Sequence, residues 1–158
     1  MTDTRSDHDP SAGGGEPSLT GNDELVDVLL DTAVYVKVMG EATLADTPLS
    51  LLSNRMLAAV LGEPGITVSE ISRRIPKTQQ ALSQVAAELT KLGLIERRLG
   101  SGRGIELHVT EAGRRMTEEG LGRQHDMLTH LRELLGNQRY EQLKRLLHES
   151  RVILEKGR

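Results

Sequence analysis

Between residues 67 and 110 the chain changes its period twice, and no other stretch restricts the fold as much. Thr67, Val68, Ser69 and Glu70 have the spacing of a capping box, in which the threonine hydroxyl and the glutamate carboxylate satisfy each other's free backbone amides. They predict a short helix over 68–75, stopped by Pro76, which has no N–H to continue it. Ala81, Leu82, Val85, Ala86 and Leu89 then recur at helical spacing and predict a second helix over 78–92, with Gly93 just past its end. There the period falls to two. Residues 95–99 and 105–109 both alternate, and "GSGRG" between them supplies the turn of a β-hairpin. Thr110 opens a new helix with "TEAGRRM".

Short capped helix, tight turn, helix and hairpin, in that order, make a winged helix-turn-helix. A helix fits the major groove of B-DNA, and a thin ribbon can follow the adjacent backbone or minor groove. A nucleotide-binding phosphate loop is the rival reading of the glycine stretch. It fails because "GSGRG" has neither phosphate-loop spacing and leads into a strand instead of opening a helix.

The flanks read as helices of another kind. Residues 1–22 are Asp, Ser, Thr, Gly and Pro with few apolar side chains, and are expected to be a disordered acidic tail. Over 23–48, Leu25, Val28, Leu29, Thr32, Val36, Met39 and Thr43 share one helical face, and Val26, Leu30, Val34 and Val38 form a second. A helix apolar on two sides must be covered on two sides. One is expected to meet its own domain and the other a partner chain. A further helix is expected over 49–61, ended by "GEPG". Beyond the hairpin, Gly136 interrupts the helical pattern. Asn137 is expected to cap a last helix in which Tyr140, Leu143, Leu147, Ser150 and Leu154 recur at steps of three and four. The expected architecture is therefore mainly α: a winged helix-turn-helix domain with a two-stranded β-hairpin wing over 49–112. An N-terminal dimerisation helix over 23–48 and C-terminal dimerisation helices over 113–158 flank it.

Charge is distributed to match. The net charge is −3, which looks wrong for a DNA-binding chain. Residues 1–31 hold eight acids and one base, whereas residues 71–104 hold seven bases and two acids, so a basic island lies within an acidic protein. Only Tyr35 and Tyr140 are aromatic, which argues against the base-stacking platforms of single-strand binders. Without cysteine there is no disulfide, thiolate sensor or cysteine zinc site. No signal-peptide pattern and no long apolar run are visible, so a cytoplasmic protein without a membrane span is expected.

The candidate contacts follow from side-chain chemistry. Thr78, Gln79, Gln80, Ser83 and Gln84 crowd the start of the second helix, and such hydroxyl and amide groups can read base edges. Arg73, Arg74, Lys77, Arg97 and Arg98 are candidates for phosphate contacts, which fix register without reading sequence. Arg103, at the tip of a slim glycine loop, is the group a wing can deliver into the narrow, electronegative minor groove. Taken alone, an amide-rich helix face is ordinary solvated surface. Beside a basic hairpin it points to one docking mode.

Residues 70–113 resemble the core of the MarR family of bacterial transcription regulators, most specifically in "LTKLGLIERR" and "HVTEAG". The resemblance extends more weakly over about 23–155. It implies a homodimeric, sequence-specific DNA-binding regulator, non-enzymatic, that represses by occupying a palindromic operator in double-stranded DNA. In that family the wing commonly reads Asp-x-Arg, with the aspartate orienting the arginine. Arg103 stands at the arginine position here and Ser101 at the aspartate position, which implies a looser wing. Gln84 fills a recognition-helix position that is usually arginine. The resemblance also implies a small-ligand site between the dimerisation helices and the winged domain. Met39, Met56 and Met116 lie in the corresponding region, although methionines there read more simply as adaptable core.

No cofactor is expected, and no local pattern pairs a nucleophile with a base. His108, His125, His130 and His148 read as surface histidines, and Glu111, Glu118 and Glu119 as solvated acids of one helix. Two alternatives remain: a zinc-responsive regulator of the same fold, and a winged-helix protein-interaction module that does not bind DNA.

Overall fold

The computed structural model describes residues 24–100 and 104–157. The expected tail over 1–22, and Ser101 and Arg103 of the wing, lie outside the described residues. The chain divides after Val34 into two units. In the first, residues 24–34 are the opening turns of helix α1 (Glu24–Thr43). The second contains the rest of α1 and then α2 (Leu51–Gly62), α3 (Val68–Arg74), α4 (Gln79–Lys91), strands β1 (Ile95–Leu99) and β2 (Ile105–Val109), α5 (Glu111–Leu135) and α6 (Asn137–Lys156).

Helices α2, α3, α4 and α5 begin where side-chain chemistry can satisfy a free amide. The Ser50 hydroxyl accepts from the Ser53 amide at 3.1 Å and starts α2. At α3 the capping box is complete: the Glu70 carboxylate accepts from the Thr67 amide at 2.8 Å, and the Thr67 hydroxyl accepts from the Glu70 amide at 3.3 Å. Gly93 takes φ +71° just beyond α4, as its position after the last helical turn requires. The strands have the bounds that alternation predicts and pair antiparallel, from Ile95 opposite Val109 to Leu99 opposite Ile105. The outer edge of β2 is also used. Leu107 accepts from the Gly65 amide at 2.9 Å and donates to the Ile66 carbonyl at 3.1 Å, which ties the hairpin to the segment entering α3.

The Glu70 box has a pH signature. Bonds from the Thr67 amide and hydroxyl hold the Glu70 carboxyl below the usual glutamate range. A depressed carboxyl adds stability that is full above its unfolded pKa of about 4.3 and is lost as pH falls through the folded value. Glu70→Gln should therefore lower the melting temperature at neutral pH, and the gap from the parent chain should close in acid, once the pH has fallen through the folded value. An equal gap at neutral and at acid pH would contradict this assignment.

Leu44, Leu49, Met56, Leu57, Val60, Ile66, Ile71, Ile75, Leu82, Ala86, Leu89, Leu94, Ile95 and Leu107 form a single aliphatic core. Thus α2, α3, α4 and the base of the hairpin share their interior, and α5 closes it. Two glycines let α5 approach. A Cβ at Gly113 would overlap the Leu94 carbonyl, and one at Gly120 would overlap the Asn54 side-chain oxygen. Between them Thr117, fully buried, returns its hydroxyl to the Gly113 carbonyl at 2.6 Å. Thr110 joins wing and helix: its hydroxyl donates to the Gly93 carbonyl at 2.7 Å and accepts from the Gly113 amide at 3.0 Å. Arg123 bonds the Thr43 carbonyl at 3.0 Å, Asp46 and Glu119, and so anchors the segment after α1 to α5.

Two expectations are corrected. The N-terminal helix, expected over 23–48, ends at Thr43, and 44–48 is a turn whose Leu44 enters the core. Asn137 does not cap α6. Gly136, at φ +75°, occupies that position without any side-chain bond, and Asn137 is the first helical residue.

Candidate nucleic-acid interface

The start of α4 is open. Thr78, Gln79, Gln80 and Gln84 are exposed and Ser83 is half-buried, while Leu82, Ala86 and Leu89 on the opposite side are in the core. This division follows from the 3.6-residue period: the apolar residues lie on one stripe, and the amides fall outside it. Thr78 has a local task. It is the N-cap, and its hydroxyl accepts from the Ala81 amide at 3.2 Å. One lone pair of that hydroxyl is thereby used. Thr78→Ala should cost about 1 kcal/mol through the lost cap, a difference that urea denaturation of the two chains would measure.

The basic candidates are not equivalent. Arg73, Lys77 and Arg97 are exposed and make no ion pair among the described residues. Arg74 is held by Glu63 at 2.7 Å, which raises its guanidinium above the ordinary range, and Arg98 is held by Glu96 at 2.9 Å. A phosphate must displace these carboxylates. Both pairs are exposed, so each displacement is cheap. Sequence reading had missed both acids: Glu63 meets Arg74 only because the α2–α3 turn folds back, whereas Glu96 is two residues from Arg98, where strand alternation could have shown it. Alternation also separates Arg97 from Arg98. Arg97 stands opposite Leu107 and Arg98 opposite Glu106, so they belong to opposite faces of the wing.

The remaining polar groups form no second centre among the described residues. His108 lies 3.3 Å from Glu106 and His130 lies 3.8 Å from Glu133, while Glu111 and Glu119 pair with Arg115 and Arg123. No three metal-ligating side chains gather among the described residues. Met56 is fully buried in the core and Met116 packs against it.

Residues 48–104, which run from the entry to α2 through the wing loop, match the model of the MarR family. This winged-helix segment is similar to that family. The described chain as a whole has the fold of solved MarR structures. A MarR-family transcriptional regulator from Rhodococcus sp. RHA1 superposes with a TM-score of 0.74 at 19% identity, covering 82% of this chain and 95% of that one. A MarR protein from Peptoclostridium difficile gives 0.79 at 14% identity, covering 92% and 96%. A Mycobacterium tuberculosis MarR-family protein, solved with salicylic acid, gives 0.63 at 22% identity, covering 79% and 94%. At these identities the likeness establishes the fold. Among curated proteins none matches the chain.

Proposed function

We propose that this chain is a dimeric, cytoplasmic, non-enzymatic transcription regulator of the MarR type that binds a palindromic operator and represses by occupying it. The observation that carries the reading is the open amide-rich start of α4 on a MarR-family winged helix whose hairpin bears exposed arginines. Gln79, Gln80, Ser83 and Gln84 read bases in the major groove, with Thr78 holding the helix start. Arg73, Arg74, Lys77 and the wing arginines position the duplex through its phosphates, Arg97 and Arg98 being the candidates on the two opposite faces of the wing. Arg103 is the side chain for the minor groove, and Ser101 is a further candidate contact of the wing loop.

Unpartnered apolar side chains support the dimer. Leu25, Leu30 and Val38 on α1, and Leu146, Ile153 and Leu154 on α6, are all more than half exposed. Monomeric soluble proteins rarely leave such stripes open. Two paired copies place their recognition helices about one helical turn of DNA apart, ~34 Å, which makes the operator an inverted repeat. The salicylic acid held by the mycobacterial protein makes small aromatic carboxylates the first effectors to assay.

Two substitutions separate the roles. Arg103→Ala should weaken binding to every duplex by a similar factor, whereas Gln80→Ala should relax preference at one base position, worth about 1–3 kcal/mol there. Affinity should also fall steeply with salt, because neutralising phosphates releases counterions. Titration of both variants against duplexes differing at single positions tests this. Unchanged affinity and preference in both would remove the assignment.

A further inference from the structure

The two faces of the hairpin differ in charge. One carries Glu96, Arg98, Glu106 and His108, with Arg98 bonded to Glu96 at 2.9 Å and His108 3.3 Å from Glu106. Two carboxylates there offset the arginine. The other face has no carboxylate. At its base Ile95 and Leu107 are in the core, and further out it presents Arg97, Leu99 and Ile105. Leu99 is 92% exposed and Ile105 45% exposed, and they stand directly opposite each other on the outermost paired rung. The Gly100 amide donates to the Gly104 carbonyl at 3.1 Å just beyond them, so no bulky side chain screens the pair on that rung.

From this arrangement we infer that the wing meets DNA with its Arg97, Leu99 and Ile105 face. Arg97 neutralises a phosphate, and Leu99 with Ile105 packs against the deoxyribose walls of the minor groove. The inference rests on the DNA-binding reading above and refines it by choosing one of the two wing faces. Charge decides the choice. A polyanion is repelled by Glu96 and Glu106, and Arg98 must first leave Glu96 to reach it, whereas Arg97 makes no ion pair among the described residues. Shape agrees, because the walls of the minor groove alternate apolar sugar with charged phosphate, and this face sets Arg97 two residues from Leu99 on β1, with Ile105 opposite on β2. Such a contact is apolar and adds affinity without releasing counterions.

The salt dependence of binding distinguishes the two kinds of contact. The probe is the duplex most enriched by the full-length parent chain from a randomised 30-base-pair library. Arg97→Ala should reduce the slope of log K against log salt by about 1, and Arg98→Ala should leave it nearly unchanged. Leu99→Thr with Ile105→Thr, which places a β-branched residue in each strand, should weaken binding about tenfold at an unaltered slope. Its melting temperature should match the parent, since both positions lie outside the core. Several results would overturn the inference while leaving the DNA reading intact: parent-like affinity in the double threonine variant, a slope that falls with it, or an equal slope change in Arg97→Ala and Arg98→Ala. A change of oligomeric state in the double variant at parent-like affinity would assign the pair to a contact between copies. If the parent chain enriches no duplex at all, the DNA-binding reading fails first and the inference with it.

Discussion

Gly113→Ala is expected to destabilise this protein by about 3–5 kcal/mol, the range of severe core overpacking. A methyl group at this position would sit inside the Leu94 carbonyl, a backbone atom that cannot swing aside as a flexible side chain can. Leu94 cannot retreat, because it is fixed on both sides: its amide donates to the Leu89 carbonyl at 2.9 Å, and its carbonyl accepts from the Thr110 amide at 3.1 Å. The start of α5 would have to move away instead. That movement would break the 3.0 Å bond from the Gly113 amide to Thr110 and withdraw α5 from the core it closes. In an exposed helix the same exchange would be stabilising, since alanine is the better helix former by about 1 kcal/mol, so the sign of the effect is diagnostic. In a chain of this size a loss of 3–5 kcal/mol corresponds to roughly 10 °C or more in melting temperature. Calorimetry of the variant beside Gly122→Ala, where an added Cβ meets nothing within 4 Å, gives the contrast. Equal stability of the two variants would show that α5 does not approach Leu94 this closely.

The second large effect concerns association. Leu147→Glu is expected to convert the proposed dimer to monomers at micromolar concentration. Leu147 is 46% exposed on a helix with no buried residue at all, so the substitution costs the isolated chain little. At a symmetric interface it places an uncompensated carboxylate in each copy, and breaking desolvated pairings of this kind typically costs 3–5 kcal/mol. Dimerisation should weaken at least 100-fold, and binding to a two-half-site duplex should fall with it. Sedimentation equilibrium at several concentrations reads the first effect directly. A variant that remains dimeric would place the interface elsewhere than on α6.

What could be read from sequence was what depends on neighbours along the chain. The Thr67–Glu70 box, the bounds of both strands, Gly93 and the Thr110 cap are each decided within a few residues, and the structure has them as expected. The glycines of α5 were opaque for the opposite reason. In sequence Gly113 and Gly120 look like weak helix formers, and only Leu94 and Asn54, distant along the chain, give them meaning. The same holds for Asn54, whose side-chain oxygen is buried without a hydrogen-bond partner in the described structure, pressed against Gly120. At the candidate interface the exposed glutamines were legible because the apolar stripe of α4 leaves them outside. The restraint of Arg74 by Glu63 was not, since a turn brings the two together. Asn137 misled because it resembles a cap by type, while Gly136 before it already has the left-handed backbone that ends one helix and begins the next.

The central claim is that two copies pair and that each sets α4 and its wing into one duplex. Selection of duplexes from a fully randomised library by the full-length chain, followed by sequencing, tests it most directly. The account predicts an enriched inverted repeat whose half-site centres lie about 10 base pairs, or a multiple of that, apart, bound by two protomers. Recovery of no sequence, or of a single unrepeated site bound by one protomer, would contradict it.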